Sequence, residues 1–170
     1  MILTPHAIIG AAVSNMLPIY PELGFVLAFF SHYIADSIPH NHYRHDSFIL
    51  KETKCIASLI HNIKGLYQFS LIMFDFFIGL FLSILIFSRD WNTLLITLLG
   101  VIGGVLPDFL QFLYFKFKKW PFVSLQKFHG KFECKKNIEH KPFLGASIQL
   151  ITMIFFVLIS FWIINYSFSN

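Results

Sequence analysis

Residues 66–88 read LYQFSLIMFDFFIGLFLSILIFS, from Leu66 to Ser88, and this stretch decides the fold. A helix needs roughly 20 predominantly apolar residues to cross the hydrocarbon of a bilayer, and this run reaches that length with one acid, Asp75, inside it. Two further runs of the same kind follow, Trp91–Phe115 and Phe143–Tyr166. Two shorter ones precede it, Thr4–Leu17 and Leu23–Ile38, joined by Pro18 and Pro21, a pair suited to a tight helical hairpin. The expected architecture is therefore all-α: a polytopic membrane bundle of about five helices forming one integral membrane domain over residues 1–170, with spans near 4–17, 23–38, 66–88, 91–115 and 143–166.

Composition supports the same reading. Of 170 residues, 56% are hydrophobic and 13% charged, and phenylalanine alone supplies 22. A soluble core of this size could not bury that many large side chains, whereas lipid can accept them. The start, Met1 to His6, lacks a basic region and a small-residue cleavage pattern, so the first apolar segment is expected to stay in place.

All of the thirteen Lys and Arg residues except Arg89 fall in two connecting segments, 39–65 and 116–142. The positive-inside rule assigns both segments to the cytoplasm, which puts Met1 inside and Asn170 outside. Cys55 and Cys134 then lie in a reducing compartment, where a disulfide is not expected. In the first segment Ile56, Leu59, Ile60 and Ile63 recur at helical spacing opposite Lys51, Lys54, His61 and Lys64, as in a helix lying in the headgroup plane. The second opens Lys116-Phe117-Lys118-Lys119-Trp120-Pro121 and is read the same way. These charges are expected to meet anionic membrane lipids, and no nucleic-acid partner is expected from basic residues that simply flank spans.

The chemistry lies in ionisable groups that a bilayer interior penalises by roughly 2.5–3.5 kcal/mol each. His6 opens the first helix. His32 and Asp36 stand four residues apart on one face of the second, and His40 follows Pro39 as that helix ends. Asp75 sits about nine residues into the third helix, roughly 14 Å from its cytoplasmic end at 1.5 Å per residue. Asp108 follows Pro107 near the cytoplasmic end of the fourth, and His129 with Glu133 forms another possible i, i+4 pair in the second connecting segment. All of these groups fall in the cytoplasmic half. Imidazole and carboxylate together ligate divalent ions, so His6, His32, Asp36, His40, Asp75, Asp108 and His129 are the expected metal ligands and Glu133 the expected general base. His42, His45 and His140 are weaker candidates in basic loops. An internal repeat would align His6-x3-Gly10 with Asp75-x3-Gly79 and Asp36 with Asp108, giving two parallel hairpins with two polar ligands each, followed by a C-terminal span.

Four motifs, Pro5-His6-x3-Gly10, Ser31-His32-x3-Asp36-x2-Pro39-His40, Gly104-x-Leu106-Pro107-Asp108 and Phe128-His129, resemble those of a family of small bacterial inner-membrane metal-dependent hydrolases. That family is in turn distantly similar to the helical zinc-dependent phospholipase C and P1-type nuclease fold. The resemblance implies a helical bundle with His and Asp ligands, zinc as the cofactor with manganese or magnesium as alternatives, and hydrolysis of a phosphoester or lipid-linked substrate. Two departures stand out. Phe109, Leu110 and Gln111 follow the Leu-Pro-Asp where the family carries a further Asp or His, and His140-Lys141-Pro142-Phe143 replaces a later His-rich motif. A non-catalytic membrane scaffold holding a structural metal or a buried polar cluster is the alternative. A transporter fits less well, because polar groups do not continue through the outer half.

Overall fold

The computed structural model describes residues 2–40, 63–134 and 141–169. Every regular element among them is helical: α1 (Leu3–Asn15), α2 (Pro21–Asp36), α3 (Ile63–Phe87), α4 (Trp91–Phe117), α5 (Phe122–Phe132) and α6 (Pro142–Ser169). The count is six where five were expected. The additional helix is α5, which lies inside the second connecting segment. The amphipathic helix expected around residues 51–64 lies largely outside the described residues, as do Cys55, His42, His45 and His140.

Among the described residues three helices carry stretches long and apolar enough to cross a bilayer, Phe69–Phe87, Trp91–Phe117 and Pro142–Tyr166, and the chain is a membrane protein. The first two helices are shorter than that. At 13 and 16 residues, α1 and α2 are about 20 and 24 Å long, against roughly 30 Å of hydrocarbon. A hairpin returns the chain to the side it left whether or not it crosses completely.

What α1 lacks in length it makes up in enclosure. All of its residues except Thr4 are buried, and it packs against α2, α3, α4 and α6. Small residues make this possible, as they do where membrane helices approach closely without a hydrophobic driving force. A Cβ built on Gly10 would fall on the Gly100 carbonyl oxygen, and one on Gly104 would fall on the carbonyl oxygen of His6. The α1 and α4 backbones are thus nearly in contact along Gly10, Gly100 and Gly104. On the opposite flank a Cβ on Gly79 of α3 would come within 2.8 Å of Thr4 Cα.

Short polar side chains add directional bonds. Ser14 Oγ donates to the Ile96 carbonyl at 3.0 Å, Asn15 Nδ2 donates to Thr97 Oγ1 at 3.0 Å, and Ser160 Oγ reaches the Ala12 carbonyl at 2.9 Å. Each replaces an unsatisfied group that hydrocarbon would penalise. The outer faces of α3 and α6 expose Phe74, Phe81, Leu85, Phe155, Leu158 and Trp162, as expected of surfaces solvated by acyl chains.

Asp90 caps α4 with a capping box: its carboxylate accepts the Thr93 N–H at 2.9 Å while the Thr93 hydroxyl receives the Asp90 N–H. The bond from the Thr93 backbone holds the Asp90 carboxyl below the usual aspartate range. At the start of α1, Ile2 has no side-chain oxygen to offer as a cap, and Asp75 of α3 does the work from another helix. Asp75 Oδ2 accepts the Thr4 N–H at 3.1 Å, and Oδ1 accepts the Thr4 hydroxyl at 2.6 Å.

Candidate metal centre

Asp36 ends α2 and is 3% exposed. Four histidine Nε2 atoms surround its carboxylate. His6 and His40 stand 3.2 and 3.6 Å from Oδ1, while His32 and His129 stand 3.1 and 3.2 Å from Oδ2. Asp108 adds an oxygen 3.6 Å from His32 Nε2. His32, Asp36, Asp108 and His129 each present a ligand atom within 4.8 Å of the others. All four imidazoles are buried; the Asp108 side chain alone keeps appreciable exposure, 21%.

Each group reaches this point for a separate reason. His6 lies in the opening turns of α1, whose backbone is drawn onto α4 at Gly104. His32 and Asp36 face the same way because four residues make about one helical turn. His40, beyond the end of α2, is oriented by its Nδ1, 2.6 Å from the Ile38 carbonyl. His129 comes on α5, which is fastened to α2 by the rings of Tyr33, Phe128 and Phe132, with centroids 5.0–5.4 Å apart. The chain leaving α5 is pinned to the same place, since Cys134 N donates to the Asp36 carbonyl at 2.9 Å. Segment 116–134 is therefore more than a surface helix: α5 packs on α4 and α2 and supplies a site residue, while Lys116, Lys118, Lys119, Lys127 and Lys131 stay exposed.

The proton positions follow from the outer partners. His32 Nδ1 lies 2.8 Å from the Gly104 carbonyl. A carbonyl only accepts, so Nδ1 carries the proton, and in the neutral ring Nε2 presents a lone pair toward Asp36. The Ile38 carbonyl imposes the same tautomer on His40. Lone pairs facing a buried carboxylate repel it unless a cation lies among them.

Protonation of the rings is one possible source of that charge, but the geometry argues against it. His6 and His32 are stacked with centroids 3.9 Å apart, an arrangement that would set two imidazolium ions face to face. Charge-assisted N–H···O bonds run about 2.7–2.9 Å, shorter than any of the four separations here. His6 Nε2 and His32 Nε2 form no directed hydrogen bond despite their closeness to Asp36, and His6 Nδ1 and Asp108 Oδ2 are also buried without a hydrogen-bond partner. Nitrogen and oxygen ligands about 2.0–2.1 Å from one tetrahedral ion lie ~3.3 Å from each other, close to the observed 3.1–3.6 Å. The donor set thus fits a divalent metal. Backbone carbonyls that hold the far nitrogen of a ligating imidazole and so fix its tautomer, as those of Gly104 and Ile38 do here, are characteristic of such sites.

The remaining sequence-predicted residues fall elsewhere. Asp75 is engaged with Thr4 and is not among the converging donors, so α3 contributes none and the expectation of two ligands from each hairpin is not realised. Glu133 is exposed at the C-cap of α5 and does not join His129 in the cluster. The sequence reading did not identify Tyr33, Phe128 and Phe132 as the fastening of α5, although an aromatic residue beside each of His32 and His129 was a visible signal. Nor did it identify the Gly104 carbonyl, which no side-chain pattern announces.

Beside His129, the seam between α2, α4 and α5, lined by Tyr33, Pro107, Gln111, Leu125 and Gln126 among others, is closed too tightly to admit a water molecule, so it is a packing groove and not a ligand pocket. Comparison with family models, curated proteins and solved structures yields no match.

Proposed function

We propose that this protein is a membrane-bound metal-dependent hydrolase, acting on a phosphoester or lipid-linked substrate at the cytoplasmic face. The observation that carries the reading is the pair of enforced tautomers, with His32 and His40 held by backbone carbonyls so that their Nε2 lone pairs face the buried Asp36 carboxylate. His32, His129 and Asp36 Oδ2 form a three-ligand set of two imidazoles and a carboxylate, the arrangement that leaves a catalytic zinc one open position. Zinc is the ion such donors favour, with manganese or magnesium as alternatives. A divalent ion there supplies Lewis acidity and acidifies water.

Asp108 takes the role of proton acceptor. Its Oδ1 is turned toward His32 while Oδ2 is buried without a hydrogen-bond partner, and its side chain, 21% exposed, is the most accessible of the cluster. That combination of proximity and exposure suits a general base better than the exposed Glu133 does. The motif resemblance implies the same class of reaction.

The near-complete burial of the histidines favours a second reading, a scaffold with a structural ion. The detergent-purified chain, loaded with zinc or manganese, separates the two when metal content is measured beside hydrolysis of bis-p-nitrophenyl phosphate and of phospholipid in mixed micelles. The hydrolase holds stoichiometric metal, turns over a phosphoester, and loses turnover but keeps its ion in Asp108→Asn. Metal that resists small chelators, with no turnover, supports the scaffold. No stoichiometric metal after titration removes the basis of both.

A further inference from the structure

Of the eleven residues of α5, His129 alone is buried. A helix of that length is marginal by itself, and Lys127 and Lys131, four residues apart on its exposed side, repel one another. The stretch from Lys116 to Phe132 carries five lysines and no acid, and among the described residues no ion pair involves them. We propose that the exposed face of the α4–α5 hairpin binds the headgroups of acidic phospholipids, and that these headgroups hold α5, and with it His129, against the rest of the protein.

The hairpin is tight. Phe122 stacks on Phe117 with centroids 5.8 Å apart, and His129 reaches Asp108, so α5 turns at once and runs back along α4. Ser124, Lys127 and Lys131, at i, i+3 and i+7, share the exposed side of α5, and Lys118, Lys119 and Trp120 form the turn that leads into it. Aromatic rings are interleaved with the charges: Trp120 is 82% exposed, and Phe117, Phe128 and Phe132 are open on one side. A soluble polyanion would satisfy the lysines and leave these rings in water. A phospholipid satisfies both, with its headgroup on the ammonium groups and the edge of its acyl region beside the rings. The same end of α4 exposes Phe109 and Phe115, so acyl chains reach alongside the hairpin.

Inside the protein α5 is fastened to α2 by the rings of Tyr33, Phe128 and Phe132 and by the backbone bond from Cys134 to Asp36. Acidic headgroups add to this from outside, because they offset the repulsion between Lys127 and Lys131 and so favour the docked, helical state. The clamp stands on this geometry alone. Its consequence for an ion, slower loss of metal while His129 is held in place, rests on the metal reading above.

The test is hydrogen–deuterium exchange by mass spectrometry on the full-length chain in nanodiscs of phosphatidylcholine alone and of phosphatidylcholine with phosphatidylglycerol. A lysine beside an acidic surface gains about fivefold in affinity and two gain about 25-fold, so amide exchange across α5 is expected to slow by about tenfold or more in the acidic discs. Exchange in the enclosed α1 should not change. Lys127→Gln/Lys131→Gln is expected to abolish the difference and Lys127→Arg/Lys131→Arg to keep it. Equal exchange of α5 in both discs, or protection retained by the glutamine variant, overturns the proposal and leaves the hydrolase reading standing. Equal protection of α5 by a short oligonucleotide added to phosphatidylcholine discs overturns lipid as the partner. Zinc content measured in the same discs tests the metal reading separately: protection by acidic lipid in a chain that binds no zinc overturns that reading and supports the clamp.

Discussion

The carbonyl of Gly104 on α4 accepts the Nδ1 proton of His32 on α2 at 2.8 Å, in a stretch where α4 also touches the backbone of His6 on α1. One residue without a side chain therefore fixes the tautomer of one candidate ligand and the depth of another. A methyl group at this position has nowhere to go, since the contact it would make is with backbone and not with the end of a flexible chain. Gly104→Ala is expected to destabilise the protein by about 1–3 kcal/mol through overpacking. It should also weaken zinc binding by more than tenfold, measured by competition with a chromophoric chelator beside a thermal melt. Unchanged zinc affinity in a destabilised variant would show that the Gly104 carbonyl does not orient His32.

Asp36→Asn keeps the shape of the side chain and removes its charge. The variant is expected to fold, by helicity and elution volume, and to lose its metal by more than the roughly 10–100-fold that outer partners typically cost. Full metal retention would mean that the histidines suffice and that Asp36 is a hydrogen-bond acceptor among them.

Asp75 separates a capping role from a ligating one. Asp75→Ala removes the acceptor for the Thr4 N–H and hydroxyl, and the expected loss is about 1 kcal/mol, in line with caps elsewhere. Metal content should stay at the wild-type level. A fall in stoichiometry without a comparable loss of stability would restore Asp75 to the ligand set.

Phe128 and Phe132 hold α5 against Tyr33 while remaining about 40% exposed, so their removal should loosen α5 without unfolding the bundle. The double variant Phe128→Ala/Phe132→Ala is expected to release metal to a chelator about 10–100-fold faster, the size of effect seen when outer support is lost. Trp162→Ala, on the outward face of α6, is the matched control and should release metal at the wild-type rate.

Much of the fold is legible in the chain because the bilayer imposes a one-dimensional rule: a long apolar run must be a helix, and its length decides whether it spans. The three long runs come out as α3, α4 and α6 within a few residues of the expected limits. The hairpin helices are legible as helices but not in their role. Residues 3–15 look like a short span, yet α1 is an enclosed core helix, because Gly10, Gly100 and Gly104 let α4 close over it. That spacing is meaningful only once the two helices are known to face each other. Helix α5 is hidden by its lysines, which read as a surface segment.

For the site, sequence by itself determined which groups were unusual. His6, His32, Asp36, His40, Asp108 and His129 stand out because ionisable side chains among apolar helices are costly and few, and the i, i+4 spacing places His32 beside Asp36 without further information. Tertiary structure alone decided which of the unusual groups meet. Asp75 and Glu133 have the same chemistry as Asp36 and Asp108, but Asp75 is taken up by the start of α1 and Glu133 projects outward from the end of α5. The physical reason is range: helical periodicity fixes neighbours within about one turn, whereas the contact of Asp36 with rings from α1, from α5 and from the chain beyond α2 depends on the close packing of four helices.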